Sequence, residues 1–521
     1  MLKLFASVLL LSIFLQNVNS ERILAVVMTA SYSHQMFFQP LWRELAIRGH
    51  DVVVMTTDPT NEVLPNFKEI SIHESYGLMK DVRNLMINTS LIEILLKDKW
   101  SDLQLSVNRF QIELPKVQEL IQNKSEHFDL LMIEYSMTPA LAFQHRFNCP
   151  MISLSSFDGM EVSHELMGNP THSVLYPSSL FASDENTSFL NRMMSVVIGN
   201  LFNTLQARAV PKIDELTRES FGQDTPSLLD ILERTDMLFV NTNPVFSAIR
   251  PFSPSTISLA GGMHLKPEKP LPKNLKDFLD SAKEGAIYFS LGSNVKSNEL
   301  TPELRETIMS TLAQIPYKIL WKFEDDSLPG KPAHVMITKW APQQDILRHK
   351  NVKMFITQGG LQSLEESLYS HVPLVVMPFF ADQLSNAQKV KNKGLGLVVD
   401  RHNLKVDDFK TAIMDVMENP SYRNVVTKYA KQIQDTPTTP LERAVWWTEY
   451  VLRHKGAQHL KGPRIPFYQY YYLDVLTAIG SIFLIICGLL FVIVKYSIKK
   501  LCGLFNCSNR KVTKNDKLKK H

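Results

Sequence analysis

Residues 355–383 read FITQGGLQSLEESLYSHVPLVVMPFFADQ, and Trp340-Ala341-Pro342-Gln343 stands just upstream. The block divides into an apolar strand, a Gly-Gly turn, a helix, a second strand, and Asp382-Gln383 opening the next helix. A strand, a crossover helix and a second strand form one βαβ unit, the building block of a parallel sheet. Glycines at the strand-to-helix turn let an anion approach backbone N–H groups at the positive end of the helix dipole. A Gly-Gly turn alone says little; the polar residues around it give it meaning.

Trp340 follows VMITK at a strand end, where an exposed indole can stack on a flat base, although a lone Trp is more often core. Gln343 and Glu366 are suited to ribose hydroxyls, and Asp382 and Gln383 to those of a sugar. Each alone could be a helix cap or a solvated polar side chain. Together they suit a nucleoside diphosphate carrying a sugar.

Strand–helix alternation extends from this block in both directions. ILAVVMTA (23–30) is a continuous apolar run, as a strand covered on both faces requires. A helix from about Met36 to Arg48 follows, closed by Gly49, and then DVVVMTT (51–57). DLLMIE (129–134) and MISLSS (151–156) continue the pattern. Residues 175–210 carry many Phe, Leu and Met side chains without a strand signal; they read as helix that mainly packs in the core and also lines an apolar cleft, with membrane-surface contact left open. Pro251, Pro254, Pro267, Pro270 and Pro272 mark a linker. AIYFSLGS (286–293), KILWKF (318–323), VKMFITQ (352–358), LVVMP (374–378) and GLVVD (396–400) restart the alternation. The fold class expected is α/β, with two Rossmann-like domains facing a cleft and ligands at the carboxyl ends of the strands.

The expected division is a signal peptide (1–20), an N-terminal acceptor-binding domain (21–245), a linker and domain entry (246–284), a C-terminal nucleotide-sugar domain (285–460), a transmembrane helix (475–494) and a basic tail (495–521). The leader has Lys3, an apolar stretch and small residues near Ser20. The span is charge-free, preceded by Tyr468, Tyr470, Tyr471 and Tyr472 and followed by nine basic residues against Asp516. That asymmetry places the tail in the cytosol and the body on the luminal side. Lys517-Leu518-Lys519-Lys520-His521 resembles a dilysine retrieval signal, which gives endoplasmic reticulum as the expected location.

The chain has 56 basic and 52 acidic residues. Setting aside Lys3 and the tail leaves 46 basic and 51 acidic groups in the body, so the formal +4 is a tail effect and no nucleic-acid partner follows from it. Hydrophobic residues make up 45% and charged residues 21%, enough apolar material for a real core. Of four cysteines only Cys149 lies in the body, so no internal disulfide can form there. Asn88, Asn123 and Asn186 head luminal N-x-S/T sites. There is no G-x-G-x-x-G for a dinucleotide, no D-x-D for a metal-bound diphosphate, and no zinc-ligand spacing. The expected cofactor list is therefore empty, with no metal.

W-x-P-Q, F-I-T-x-G-G, Glu366 and the Asp-Gln pair together resemble the signature of the UDP-glycosyltransferase family, in its UDP-glucuronosyltransferase-like group. YFSLGSN (288–294), GGMHLKPEKPLP (261–272) and LERAVWWTEYVLRHKGAQHL (441–460) share the likeness, as do the leader, the single span and the basic tail. The resemblance implies a GT-B fold and a UDP-sugar donor. Trp340 would stack on uracil and the Ala341 backbone would meet its edge. Gln343 and Glu366 would hold ribose; Ser293, Gln358, Gly359 and Gly360 would receive the diphosphate; Asp382 and Gln383 would bind the sugar; Arg250 would reach across to the donor. The general base would be His34, in a loop after the first strand, oriented by Glu134.

Three departures stand out. Vertebrate members usually carry Asp where this chain has Glu134, His where it has Gln358, and Asn-Gly where it has Gln362-Ser363. The replacements resemble the invertebrate, particularly insect, branch, which is generally linked with UDP-glucose. The implied activity is hexosyl transfer, with inversion, from a UDP-sugar to a hydroxyl of small lipophilic acceptors. The alternatives are a glucuronosyl donor or an inactive UDP-sugar-binding membrane protein. An adhesion or receptor role would leave the donor block unexplained. The sequence does not decide whether the protein forms a homo-oligomer.

Overall fold

The computed structural model describes residues 20–78, 93, 99–176, 188–247 and 249–517, with side chains as far as Leu504. All but the last leader residue, the Asn88 and Asn186 glycosylation sites and the final four residues of the tail lie outside the described residues.

The first sheet has seven strands: β1 (Arg22–Val27), β2 (Asp51–Thr56), β3 (Phe67–Ser71), β4 (Leu130–Glu134), β5 (Met151–Ser155), β6 (Met237–Val240) and β7 (Thr256–Ser258). They lie in the order β3-β2-β1-β4-β5-β6-β7, and every pairing is parallel. Strand β1 shows why its sequence is an unbroken apolar run. Ile23, Ala25 and Val27 enter one core, against Phe37, Phe38, Leu41 and Leu45 of helix α1 (Tyr32–Ile47). Leu24 and Val26 enter the other. Each Ile, Val, Leu or Phe side chain so withdrawn from water contributes about 1.5–3 kcal/mol.

Helix α1 begins four residues earlier than its pattern suggests. Ser31 is its N-cap, with the His34 and Gln35 N–H groups donating to the Ser31 carbonyl. Buried Gln35 disguises the first turn as polar loop: its amide donates to the Val27 and Thr29 carbonyls and its Oε1 accepts from Thr56. His34 therefore sits in the first turn of a helix, not in a loop.

The residue 175–210 region enters helix α2 (Phe189–Phe221). Leu205, Ala209, Val210, Ile213 and Leu216 are buried, whereas Phe189, Leu190, Met193, Met194 and Val197 are exposed. Core packing thus begins near residue 205.

The second sheet comprises β8 (Ala286–Ser290), β9 (Lys318–Lys322), β10 (Val335–Thr338), β11 (Val352–Thr357), β12 (Leu374–Val376) and β13 (Gly396–Val398). Its order is β10-β9-β8-β11-β12-β13, again all parallel. Between its strands run α3 (Gln343–Arg348), α4 (Leu361–Tyr369) and α5 (Asp382–Asn392). The quoted block is thus β11, α4, β12 and the start of α5.

The expected domain boundaries need two corrections. Strand β7, inside the 246–284 segment, belongs to the first sheet, with Ile257 and Leu259 in its core. Helix α6 (Pro440–His454) also packs on the first lobe, where Ala444, Val445, Val451 and Leu452 share the core that contains Phe37 and Trp42. Pro-rich composition and sequence continuity do not reveal which core an apolar face will enter.

Residues 463–521 form a separate unit. It contains α7 (Leu473–Lys517). Leu473–Leu504 is long and apolar enough to cross a membrane.

Candidate active site

In each sheet the first strand is central and the strand order reverses beside it: β1 lies between β2 and β4, and β8 between β9 and β11. These are the topological switch points, where crevices open beyond the strands' carboxyl ends. A cavity of about 1070 Å³ joins the two. Its walls include Ser31, Tyr32, His34 and Ser156 from the first lobe and Ser290, Ser293, Trp340, Gln358 and Gly360 from the second.

On the first-lobe side, Glu134 ends β4 and is 5% exposed. Its Oε1 lies 2.5 Å from His34 Nδ1. Ser156 Oγ is 3.2 Å from the same nitrogen, and the Phe157 ring meets the imidazole edge-on at 5.9 Å. With Nδ1–H donated to Glu134, Nε2 carries the lone pair. Burial pushes the His34 pKa down, but the charge and hydrogen bond of Glu134 outweigh burial and hold it above the ordinary value, with Asp382 adding to the upward pull. Met36, Trp100, Phe157, Met160, Phe202 and Leu205 give this side of the cavity a largely apolar wall.

On the second-lobe side, β11 ends at Thr357 and α4 begins with Gly360 as N-cap. Gly359 has φ +90°, and a Cβ there would lie 2.7 Å from Val376 Cγ1. Gly292, after β8, has φ +78°, and a Cβ would meet Gln358 Nε2 at 2.4 Å. Both turns therefore require glycine. Gln358 is 6% exposed, and its Oε1 has no protein hydrogen-bond partner.

Trp340, 58% exposed, meets Tyr32 of the opposite lobe edge-to-face at 5.3 Å. Lys322 Nζ lies 5.7 Å from the Trp340 ring centroid and donates to the Gly292 carbonyl and to Glu324. Ala341 is buried. Gln343 Nε2 donates to Glu366 Oε2 at 2.6 Å and to Ser363 Oγ at 2.9 Å.

The backbone at Ala381 is strained, with φ +54° and ψ −136°. It delivers Asp382 and Gln383 to the cavity wall. Asp382 Oδ2 accepts from Asn386. Burial raises its pKa, opposed first by His34 across the cavity and then by Asn386. Gln383 Oε1 accepts the Phe379 and Phe380 N–H groups, leaving its amide as the free donor.

The cavity walls thus bring together His34, Ser293, Trp340, Ala341, Gln343, Gln358, Gly360, Glu366, Asp382 and Gln383. Glu134 stands behind His34, and Gly359 forms the turn beneath Gly360. Arg250 does not join them. Its side chain is 6% exposed, with Nη2 3.5 Å from Asp158 and 3.3 Å from the Tyr176 carbonyl. A buried guanidinium needs such partners, and here they are structural ones. Asn123 caps the end of helix Pro115–Gln122, and its Oδ1 accepts from Ser125.

Contacts between the lobes went unread in the sequence. Asn294 Nδ2 donates to Ser31 Oγ at 3.0 Å, and Gln362 Nε2 to the Ser156 carbonyl at 2.9 Å. Arg401 and His402, after β13, also line the cavity. Nothing in the local pattern distinguishes these residues from solvated loop polars.

A family model described as UDP-glucoronosyl and UDP-glucosyl transferase matches residues 22–511. UDP-glycosyltransferase UGT5 of the insect Dactylopius coccus is 31% identical over 525 residues, covering 98% of this chain and 99% of its own. Human UDP-glucuronosyltransferase 2B7 is 30% identical over 499 residues, covering 90% and 92%. Among solved structures, the fold is similar to Os79 of O. sativa in complex with U2F and trichothecene (TM-score 0.55, 15% identity, 82% of this chain and 99% of that one). It is also similar to LpCGTa in complex with UDP (TM-score 0.52, 15% identity, 83% and 99%). Twin parallel sheets, a cavity between their switch points and a family match across nearly the whole chain agree: this protein belongs to the UDP-glycosyltransferase family and has the GT-B fold.

Proposed function

We propose that this UDP-sugar glycosyltransferase moves a hexosyl group, glucose, from the UDP-sugar to a hydroxyl of a small lipophilic acceptor, with inversion. The observation that carries the reading is the His34–Glu134 pair facing the Gly359–Gly360 turn and Trp340 across one cavity. In this reading the acceptor lies against the apolar first-lobe wall. His34 Nε2 takes the proton from its hydroxyl while Nδ1–H stays bonded to Glu134, whose charge stabilises the imidazolium. The acceptor oxygen forms a bond to the anomeric carbon as the bond to the diphosphate oxygen breaks. Attack from the opposite face converts an α-linked donor into a β-glycoside.

The leaving diphosphate goes to the start of α4, its amides and Ser293, with Lys322 nearby, and the reading uses no metal. Uracil stacks on Trp340, and ribose meets Gln343 and Glu366. The hexose lies near Asp382 and the free amide of Gln383. Arg401, a cation on the cavity wall, supports a second reading in which the sugar is glucuronate. The proposal includes a body in the endoplasmic reticulum lumen, anchored through Leu473–Leu504.

The test is to incubate microsomes containing the full chain with UDP-glucose, UDP-glucuronate or UDP-galactose and a simple phenol, then weigh the products. A β-glucoside from UDP-glucose is expected. A glucuronide alone would overturn the donor assignment, and no product together with no UDP binding would overturn the reading.

A further inference from the structure

His264 is fully buried and has no role in the chemistry above. It follows Ala260, Gly261 and Gly262, three consecutive residues with positive φ (58°, 78° and 75°). This turn brings the chain from β7 against α4. The His264 ring lies between two adjacent carboxyls of that helix: Nδ1 is 3.6 Å from Glu365 Oε2, and Nε2 is 3.6 Å from Glu366 Oε1. Neither ring nitrogen makes a side-chain hydrogen bond, and the Gln362 backbone also faces the ring.

We propose that His264 is a positioning residue for the ribose subsite: set between Glu365 and Glu366, its ring keeps Glu366 ionised and aimed at the two ribose hydroxyls of the uridine nucleotide. The inference rests on the functional reading above. The argument concerns proton count. A neutral imidazole has one N–H and one lone pair, so it turns a positive edge to one of the two carboxyls and a negative edge to the other. The field of the ring favours a proton on the carboxyl opposite the lone pair and a charge on the one opposite the N–H.

The surroundings decide which is which. Glu366 accepts from Gln343 and Gln344, and Arg348 and Lys266 also favour its charge. Glu365 has the Gly262 N–H at 3.3 Å and the Asn241 side chain, with Tyr369 alongside. Burial pushes Glu365 up to about 8 and the His264 ring down to about 4, so near neutral pH the first keeps its proton and the second is uncharged. The arrangement is Glu365–COOH toward Nδ1, and Nε2–H toward the Glu366 carboxylate. Burial also raises Glu366, and the ring N–H opposes that rise.

The experiment is calorimetric titration of the full chain with UDP and with 2′,3′-dideoxy-UDP, which lacks both hydroxyls that Glu366 would hold. The wild type is expected to prefer UDP. His264→Phe should weaken UDP binding about tenfold while hardly changing the dideoxy nucleotide, so the preference collapses. His264→Gln, which restores a donor toward Glu366, should recover it. Equal weakening of both nucleotides, or an unchanged preference, would overturn the proposal. If His264→Phe does not fold, Glu365→Gln decides: a permanently uncharged amide that can donate to Nδ1 should keep the preference, and its loss would show the protons wrongly assigned. A wild type that binds no UDP would instead sink the functional reading.

Discussion

The two switch points have the same topology and opposite chemistry. At the end of β1 and β4 the first lobe places an ionisable pair, half-buried His34 and buried Glu134. At the end of β8 and β11 the second lobe places backbone, in turns that tolerate no Cβ at Gly292 or Gly359, with uncharged Ser293 and Gln358 beside them. In the proposed mechanism a proton moves on one side, and a charged group is received on the other. The first task needs a group with a tunable pKa; the second is served by fixed dipoles that need not reorganise. In that mechanism one fold used twice divides acid–base work from electrostatic work.

Breaking the first side should have the largest effect. His34→Ala should reduce transfer by about 10²–10⁴-fold, the usual contribution of a positioned base, while UDP still titrates normally; a normal rate would remove His34 from the mechanism. Glu134→Gln should cost less and shift the pH profile. The Glu134 charge holds the His34 pKa up, so without it the base is neutral at lower pH, and the acidic limb of the rate profile should move to lower pH beneath a reduced plateau. An unmoved limb would separate the pair functionally.

The second side should respond through binding. Trp340→Ala should weaken UDP by about 1–3 kcal/mol, the usual worth of a base–aromatic stack, as read by titration. Gly359→Ala should lower both stability and donor affinity, since φ +90° and the Val376 contact both oppose a Cβ. The smallest effect should come from Asn294→Ala, which removes the hydrogen bond to Ser31 across the cleft. A loss of about 1 kcal/mol is expected, visible mainly as a raised KM.

The sequence revealed the second side more readily than the first. Gly-Gly, Trp340 and the Asp-Gln pair are local features, and the apolar runs of β1, β4, β8 and β11 declare strands buried on both faces. What it concealed depends on partners remote in the chain. Gln35 looks like loop because its three hydrogen bonds go to β1, β2 and the turn after β1. Arg250 looked available for the donor until Asp158 and Tyr176 met it. His264 lies in a Pro-rich stretch, and the carboxyls flanking it come from a helix 100 residues later.

The return of α6 to the first lobe has a practical consequence. The chain has entered the second lobe by Leu275 and comes back before residue 440, so neither half is a self-contained fragment. Cutting at the linker would strip Val445, Val451 and Leu452 from their seat beside Phe37 and Trp42, leaving a sticky groove on one piece and a sticky ridge on the other. Fragments meant to isolate the second lobe should end before Pro440, and swaps of the first lobe between relatives should carry α6 with them.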